Sequence, residues 1–280
     1  LNDYISAIII GIIEGLTEFL PVSSTAHIRL TQDLLQLPLD DSYWKMFAIV
    51  IQLGAILSVL VYFRTRIVEF VQSYPTGRSG LRTWWNHPIA LVILSFVVTA
   101  IPCFIMDKFI GDMLENKMAI GWALLLGGLV MWYVDRTYSP RATTEKMEDM
   151  TLRQAIVIGL TQILAAAFPG TSRSMSTIAG GQIMGLSRSA ALEFSFFLSI
   201  PVMVAATSFK LLQFILKEET AVSTHQWAVL AVGFVVSFLV AWVVIAWFMT
   251  WVRRHGFTPF AIYRIIIGIF TIAWAYRELT

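Results

Sequence analysis

Charge is what this chain has least of. Asp, Glu, Lys and Arg make up 14% of its 280 residues, against about a quarter in soluble domains. The formal net charge is only +2, and the basic residues fall in short loops rather than on one concentrated face. That excludes a nucleic-acid surface. Cysteine is nearly absent: Cys103 alone, inside an apolar run, leaves neither a disulfide framework nor a thiolate metal site. The N-terminal stretch has no basic flank and no small-residue cleavage site, so a cleavable signal peptide is not expected. The first spans then act as their own insertion signals.

What the chain has instead is apolar length. Hydrophobic residues reach 57% and the mean hydropathy is +0.72. A bilayer core takes about 20 predominantly apolar residues per helix. Six stretches qualify: Trp44–Phe63, Pro88–Met106, Met118–Val134, Leu192–Leu212, Trp227–Thr250 and Pro259–Tyr276. Two more regions are apolar but interrupted. Tyr4–Leu20 runs into Pro21 and "VSSTAH" and resumes to about Leu37, and Arg153–Phe168 runs into Pro169 and "GTSRSMST" and resumes through Leu186. Each reads as a short helix, a polar turn at membrane depth and a second short helix. Such a re-entrant hairpin is tolerated only where protein or water surrounds its exposed backbone.

The fold expected is therefore all-α and polytopic, one membrane domain over 1–280, with six transmembrane helices and two re-entrant hairpins at about 4–37 and 153–186. If the six spans alternate, loops 64–87, 135–152 and 251–258 hold Arg64, Arg66, Arg78, Arg82, Arg136, Arg141, Lys146, Arg253 and Arg254. Loops 107–117 and 213–226 hold only Lys108, Lys117 and Lys217. The positive-inside bias puts the first set in the cytoplasm and both termini outside.

The two hairpins also resemble one another. Gly11 and Gly159, Glu14 and Gln162, Pro21 and Pro169, and Ser24 and Ser172 are each 148 residues apart. Each half (1–134 and 150–280) holds one hairpin and three spans, an odd number, so the halves are expected in opposite orientation. Paired interrupted segments in inverted halves point to a site near the midplane.

Ionisable groups are costly in hydrocarbon and mark function by default. Glu14 and Glu18 stand four apart, on one helix face. Two such carboxylates repel unless a proton or cation sits between them, and Mg²⁺ or Ca²⁺ with oxygen ligands is the natural resolution. The bland alternative is a helix-terminal pair reaching water. Hydroxyls after a helix-breaking proline commonly cap the next helix. That accounts for Ser23 or Thr25 singly, but not for His27. Three residues past Ser24, His27 could be the base that activates that hydroxyl or could attack phosphorus itself.

In the second turn Arg173 lies among Thr171, Ser172, Ser174, Ser176 and Thr177. A guanidinium beside hydroxyls and free amides at a helix N-terminus makes an anion site, above all for phosphate. An arginine snorkelling to headgroups is the competing reading. A cation site, a nucleophile and a phosphate clamp together suit hydrolysis of a phosphate or diphosphate ester.

With these residues in view, the chain resembles the bacterial undecaprenyl-diphosphate phosphatase family, also called the bacitracin-resistance proteins. "EGLTEFLPVSSTAH" (14–27) looks like its first signature and "PGTSRS" with Thr177 its second. "IQLGAIL" (51–57), "GLSRSAALEFSFFLSIP" (185–201) and "PFAIYR" (259–264) are further matches. The resemblance implies a hydrolase of the bacterial inner membrane, its site opening to the periplasmic face. It would remove the terminal phosphate of undecaprenyl diphosphate, with a divalent cation, Mg²⁺ or Ca²⁺. The monophosphate carrier of peptidoglycan synthesis is returned, and bacitracin resistance follows. Carried over by residue, it implicates Ser24, His27, Glu18 and Arg173 in catalysis, Ser172, Ser174, Thr177 and Arg173 in phosphate binding, and Glu14 and Glu18 at the metal. Arg29 and Arg264 are the next candidates for a phosphate contact.

Ala26 and Met175 stand where the family usually has glycine, and Ala48 where many members have an acid. A glycine beside a phosphate turn usually permits close backbone approach or positive φ, so Met175 predicts either a slightly different turn or a slower or altered relative. The partners implied are the polyprenyl diphosphate and membrane lipid, with no nucleic acid; a homodimer is compatible with the sequence. The competing function is an inverted-repeat transporter or flippase for the polyprenyl phosphate carrier.

Overall fold

A computed structural model describes residues 2–38, 41–76, 84–110, 116–217 and 222–279. Arg78 and Arg82, and the side chains of Lys108 and Lys217, lie outside it. Among the described residues the fold is helical throughout: α1 (Asp3–Thr17), α2 (Ser24–Leu34), α3 (Ser42–Tyr62), α4 (Arg64–Ser73), α5 (Pro88–Ile110), α6 (Lys117–Tyr138), α7 (Leu152–Ala167), α8 (Arg173–Ile183), α9 (Arg188–Lys217), α10 (Thr224–His255) and α11 (Thr258–Leu279). α3, α5, α6, α9, α10 and α11 are long and apolar enough to cross a membrane, and they are the six stretches marked out by hydropathy. The chain is a multi-pass membrane protein.

Local chemistry sets the helix ends. Asp41 and Asn116 accept the backbone N–H of Trp44 and Ala119 at the starts of α3 and α6. Thr151 with Gln154, and Ser223 with Gln226, form capping boxes at α7 and α10. α10 stops at Gly256, whose φ of 69° other residues resist. α4 was not foreseen in the loop expected over 64–87. Ile67 and Phe70, three apart, turn inward to the core while Val68 and Val71 stay exposed, so a short helix follows from that one apolar pair.

Within each interrupted region the second short helix packs on the first, α2 on α1 and α8 on α7, while the first helices find their main partners elsewhere. α1 packs on α10 and α7 packs on α5; α6 pairs with α11 and α3 with both α9 and α10. Glycine permits the closest crossings. A Cβ at Gly11 would lie 2.7 Å from the Gly233 carbonyl, and one at Gly159 2.7 Å from the Ser95 carbonyl. Small residues let membrane helices meet backbone to backbone where no hydrophobic force drives them together.

Each end of the bundle is tied by ions. At one end buried Asp135 accepts from Arg188 Nε at 2.7 Å, from Gln182 Nε2 at 3.1 Å and from the Phe257 N–H at 3.0 Å. Nearby, Arg66 reaches Glu148 at 2.5 Å and Glu193 at 3.0 Å. At the other end Lys117 joins Asp33 and Glu278, both at 2.7 Å.

Candidate functional site

The site is built from the two polar turns, and the chain uses one backbone device in both. α1 ends at Thr17, but Glu18 keeps helical dihedrals and donates its N–H to the Glu14 carbonyl at 2.9 Å. Glu14 and Glu18 thus stay on one face, as their spacing predicts. The chain then turns through Pro21 to Ser23, at φ 74° and ψ 91°, whose hydroxyl caps α2 by accepting the Ala26 N–H. In the second turn Ser172, at φ 75° and ψ 120°, caps α8 by accepting the Met175 N–H. A non-glycine residue held at such dihedrals costs on the order of 1–3 kcal/mol and needs its surroundings to hold it there.

These caps make Ser24 and Arg173 the first residues of α2 and α8, side by side. Glu18 joins them. Its Oε2 accepts from Ser24 Oγ at 2.5 Å and its Oε1 from Arg173 Nη2 at 2.7 Å. Arg173 Nη1 also donates to the Ser195 carbonyl at 3.2 Å. Glu18, Ser24, Ser172 and Arg173 line the floor of a cavity of about 720 Å³. Its walls are apolar, from Phe96, Ala100 and Phe104 of α5 and Val202, Met203 and Phe209 of α9. A charged floor beneath long greasy walls suits a ligand with an anionic head and a hydrocarbon tail.

The other residues singled out in the sequence lie apart from this floor. His27 is not among the cavity residues. Its Nδ1 donates to the Ser23 carbonyl at 2.8 Å and its Nε2 meets the Tyr263 hydroxyl at 2.7 Å, so both nitrogens are engaged and neither reaches Ser24. Its spacing of three from Ser24 is real, but a helical side chain leans back toward the N-terminus, here onto the carbonyl four residues earlier.

Ser174 and Thr177 also face inward. The Ser174 hydroxyl donates to the Leu20 carbonyl at 2.9 Å, joining the two turns, and Thr177 Oγ1 meets Ser195 Oγ at 2.7 Å, tying α8 to α9. Neither lines the cavity, and Arg29 does not either. Arg264 is fully buried and donates to three carbonyls rather than toward the cavity. Glu14 is fully buried, and neither carboxylate oxygen has a hydrogen-bond donor among the described residues; the charged groups near it are the Glu18 carboxylate and the Arg173 guanidinium.

Met175 needs no positive φ. It is helical and buried, and the left-handed residue of this turn is Ser172, after Gly170 at φ 95°. The altered turn it seemed to require is therefore unnecessary. Polar cavity residues not singled out for the site include Gln52, Thr99, Gln162 and Lys210. Gln52 had a readable signal, a lone amide in the apolar run "AIVIQLGAIL". Thr99 had none, since one threonine in a span most often bonds its own helix. It bonds the Ser95 and Gly159 carbonyls at 2.9 and 2.8 Å and accepts Gln162 Nε2 at 3.0 Å.

Known proteins match this chain over nearly its whole length. The family model described as bacitracin resistance protein BacA matches residues 7–270. A curated protein of Koribacter versatilis named undecaprenyl-diphosphatase is 54% identical over 286 residues, covering 99% of this chain and 100% of that protein. Proteins of the same name from Clostridium tetani and a Thermoanaerobacter species are 42% and 39% identical, covering 94% and 96% of this chain and 93% and 95% of their own lengths. With a family match of that extent, and both signature turns meeting at one cavity floor, the chain belongs to the bacitracin resistance protein BacA family.

Proposed function

We propose that the chain is an undecaprenyl-diphosphate phosphatase of the bacterial inner membrane, releasing inorganic phosphate and returning the monophosphate carrier. The family and the shared name of its relatives support the substrate. One observation carries the chemistry: a single carboxylate, Glu18, holds the Ser24 hydroxyl with one oxygen and the Arg173 guanidinium with the other. A transporter needs no such nucleophile–base pair, and that alternative is not favoured.

In the reading proposed, Glu18 takes the proton of Ser24 Oγ as that oxygen attacks the terminal phosphorus. The bond from this phosphorus to the bridging oxygen breaks, and polyprenyl monophosphate leaves as a dianion. Neutralised, Glu18 holds Arg173 only weakly, and the Arg173 Nε is buried with no hydrogen-bond acceptor among the described residues. The guanidinium then turns to two phosphate oxygens and stabilises the charge on them. Water next attacks the phosphoserine, Glu18 returns its proton to Ser24 Oγ, and inorganic phosphate carries away the proton from water.

A divalent cation is proposed at Glu14 and Glu18; supporting it, both buried Glu14 oxygens lack a hydrogen-bond donor among the described residues. When bound, the cation would neutralise diphosphate charge. Among the described residues no cluster of three or more His, Cys, Asp or Glu adds to that pair, so further ligands would be substrate oxygens or water. Chelation is expected to abolish turnover and Mg²⁺ or Ca²⁺ to restore it; full activity in chelator excludes the cation.

The site is further proposed to open outward. The cavity follows α5 through Ile105 and α9 through Lys210, away from the end bearing Arg66, Arg136 and Arg253, which the positive-inside bias assigns to the cytoplasm. The inverted repeat is proposed over 1–134 and 150–280, with 4–37 and 153–186 as re-entrant hairpins. Exchange of packing partners supports it, since α1 lies on α10 as α7 lies on α5. The direct test of function is phosphate release from polyprenyl diphosphate by purified protein in detergent, where sidedness is absent. No release would refute the phosphatase reading.

A further inference from the structure

Arg264 is the largest side chain with no exposed surface, and it lies in a membrane protein without a carboxylate partner among the described residues. A cation so placed is expensive unless its donors are met. Arg264 Nη1 donates to the Pro21 carbonyl at 3.1 Å, and Nη2 donates to the Gly170 carbonyl at 3.0 Å and the Ala123 carbonyl of α6 at 3.1 Å. In the turns themselves the register shifts by one from the 148-residue spacing: the caps pair Ser23 with Ser172, so Pro21 corresponds to Gly170 rather than Pro169, each two residues before a cap serine held at positive φ. α6 leaves the channel for this side chain at Gly127, where a Cβ would fall 2.2 Å from Nη2.

The neighbouring residue, Tyr263, reaches the same turn through His27. A carbonyl can only accept, so His27 Nδ1 carries the proton given to the Ser23 carbonyl, and the bare Nε2 accepts the Tyr263 O–H. Ser23 is the strained cap itself. The second turn has its own version within α8, where Ser176 Oγ donates to the Ser172 carbonyl at 3.0 Å.

We propose that Tyr263 and Arg264 are positioning residues: Arg264 pins both polar turns at once, and Tyr263 fixes His27 on the Ser23 carbonyl. Together they hold the strained backbone that aims Ser24 and Arg173 at Glu18. This rests on the phosphatase reading for its catalytic consequence but not for its structural one. Neither residue touches the cavity floor, so substrate affinity is not theirs to set. A displacement of about 1 Å at a reacting group costs roughly a hundredfold, and one neutral hydrogen bond is worth roughly five- to tenfold.

The test takes Arg264→Lys, Tyr263→Phe, His27→Ala and the Tyr263→Phe/His27→Ala double variant, with turnover and hydrogen exchange measured on each purified protein. Lysine keeps the charge but cannot reach three carbonyls. Arg264→Lys is expected to lower kcat about a hundredfold with KM within about twofold, and to speed exchange in both turns together. Tyr263→Phe is expected to lower kcat roughly five- to tenfold at unchanged KM, and the double variant to lose no more than His27→Ala alone.

A raised KM at unchanged kcat would make Arg264 a substrate ligand and overturn the proposal, as would additive losses in the double variant or unaltered exchange in either turn. Should Arg264→Lys fail to fold, the Tyr263 and His27 cycle decides alone. Should the wild-type protein release no phosphate, the phosphatase reading falls and exchange still decides the positioning role: faster exchange in both turns supports it, no change refutes it.

Discussion

The two polar turns share a backbone and differ in what they carry. Both cap a short helix with a serine near φ 75°, both offer the carbonyl two residues earlier to Arg264, and both bond the cap carbonyl from a residue four further on. The residue after the cap is Ser24 in one turn and Arg173 in the other. One turn supplies a hydroxyl and the other a guanidinium, and Glu18, which has no acidic counterpart before the second turn, joins them. The same contrast recurs one helix earlier. Gln162 bonds Thr99 through its amide, while neither carboxylate oxygen of Glu14 at the corresponding position has a hydrogen-bond donor among the described residues. Division of labour between like turns gives a site with one nucleophile and one clamp, where a symmetric pair would give two of either.

Breaking the element that joins the turns should have the largest effect. Glu18→Gln keeps shape but removes the base and the arginine's partner, and turnover is expected to fall by about 10⁴ or more, since base and clamp act as a unit. Phosphate release from saturating polyprenyl diphosphate checks it.

Next comes the clamp. Arg173→Lys is expected to lose about 10³ in kcat, about as much as Arg173→Ala, because an ammonium cannot hold two phosphate oxygens at once. Near-normal turnover in the lysine variant, with normal expression, would instead favour an arginine that snorkels to headgroups.

The smallest effect tests the turn's backbone. Met175→Gly should leave kcat within a few-fold. It should lower stability by about 2–4 kcal/mol, from the lost buried side chain and from glycine in a helix, measured as thermal unfolding in detergent. A large gain in kcat would show that the turn does need glycine there.

The spans were legible because six runs of apolar residues have no soluble alternative, and the turns were legible because Pro21 and Pro169 interrupt two more. Glu18, Ser24, Ser172 and Arg173 were legible as polar residues with no business in hydrocarbon. Their wiring was not. His27, three residues from Ser24, looked like its base, whereas the group on Ser24 is a carboxylate six residues upstream, brought round by a serine at positive φ that no propensity rule foresees. Ser174 and Thr177 read as phosphate ligands in the sequence, and in the structure their hydroxyls bond the Leu20 carbonyl and Ser195. Hydroxyls near a helix start serve ligand and backbone equally well, and only the third dimension separates the two. Arg264 was visible as a cation in a span, but its three carbonyl partners come from segments 94 to 243 residues away.

Ser24→Ala, assayed for phosphate release from undecaprenyl diphosphate in detergent beside the wild-type protein, tests the division of labour most directly. With Glu18 and Arg173 intact and the protein folded, turnover is expected to fall by at least about 10³, the scale set by loss of a nucleophile from a working unit. Turnover within a few-fold of wild type would contradict a Ser24 nucleophile and leave Glu18 activating water instead.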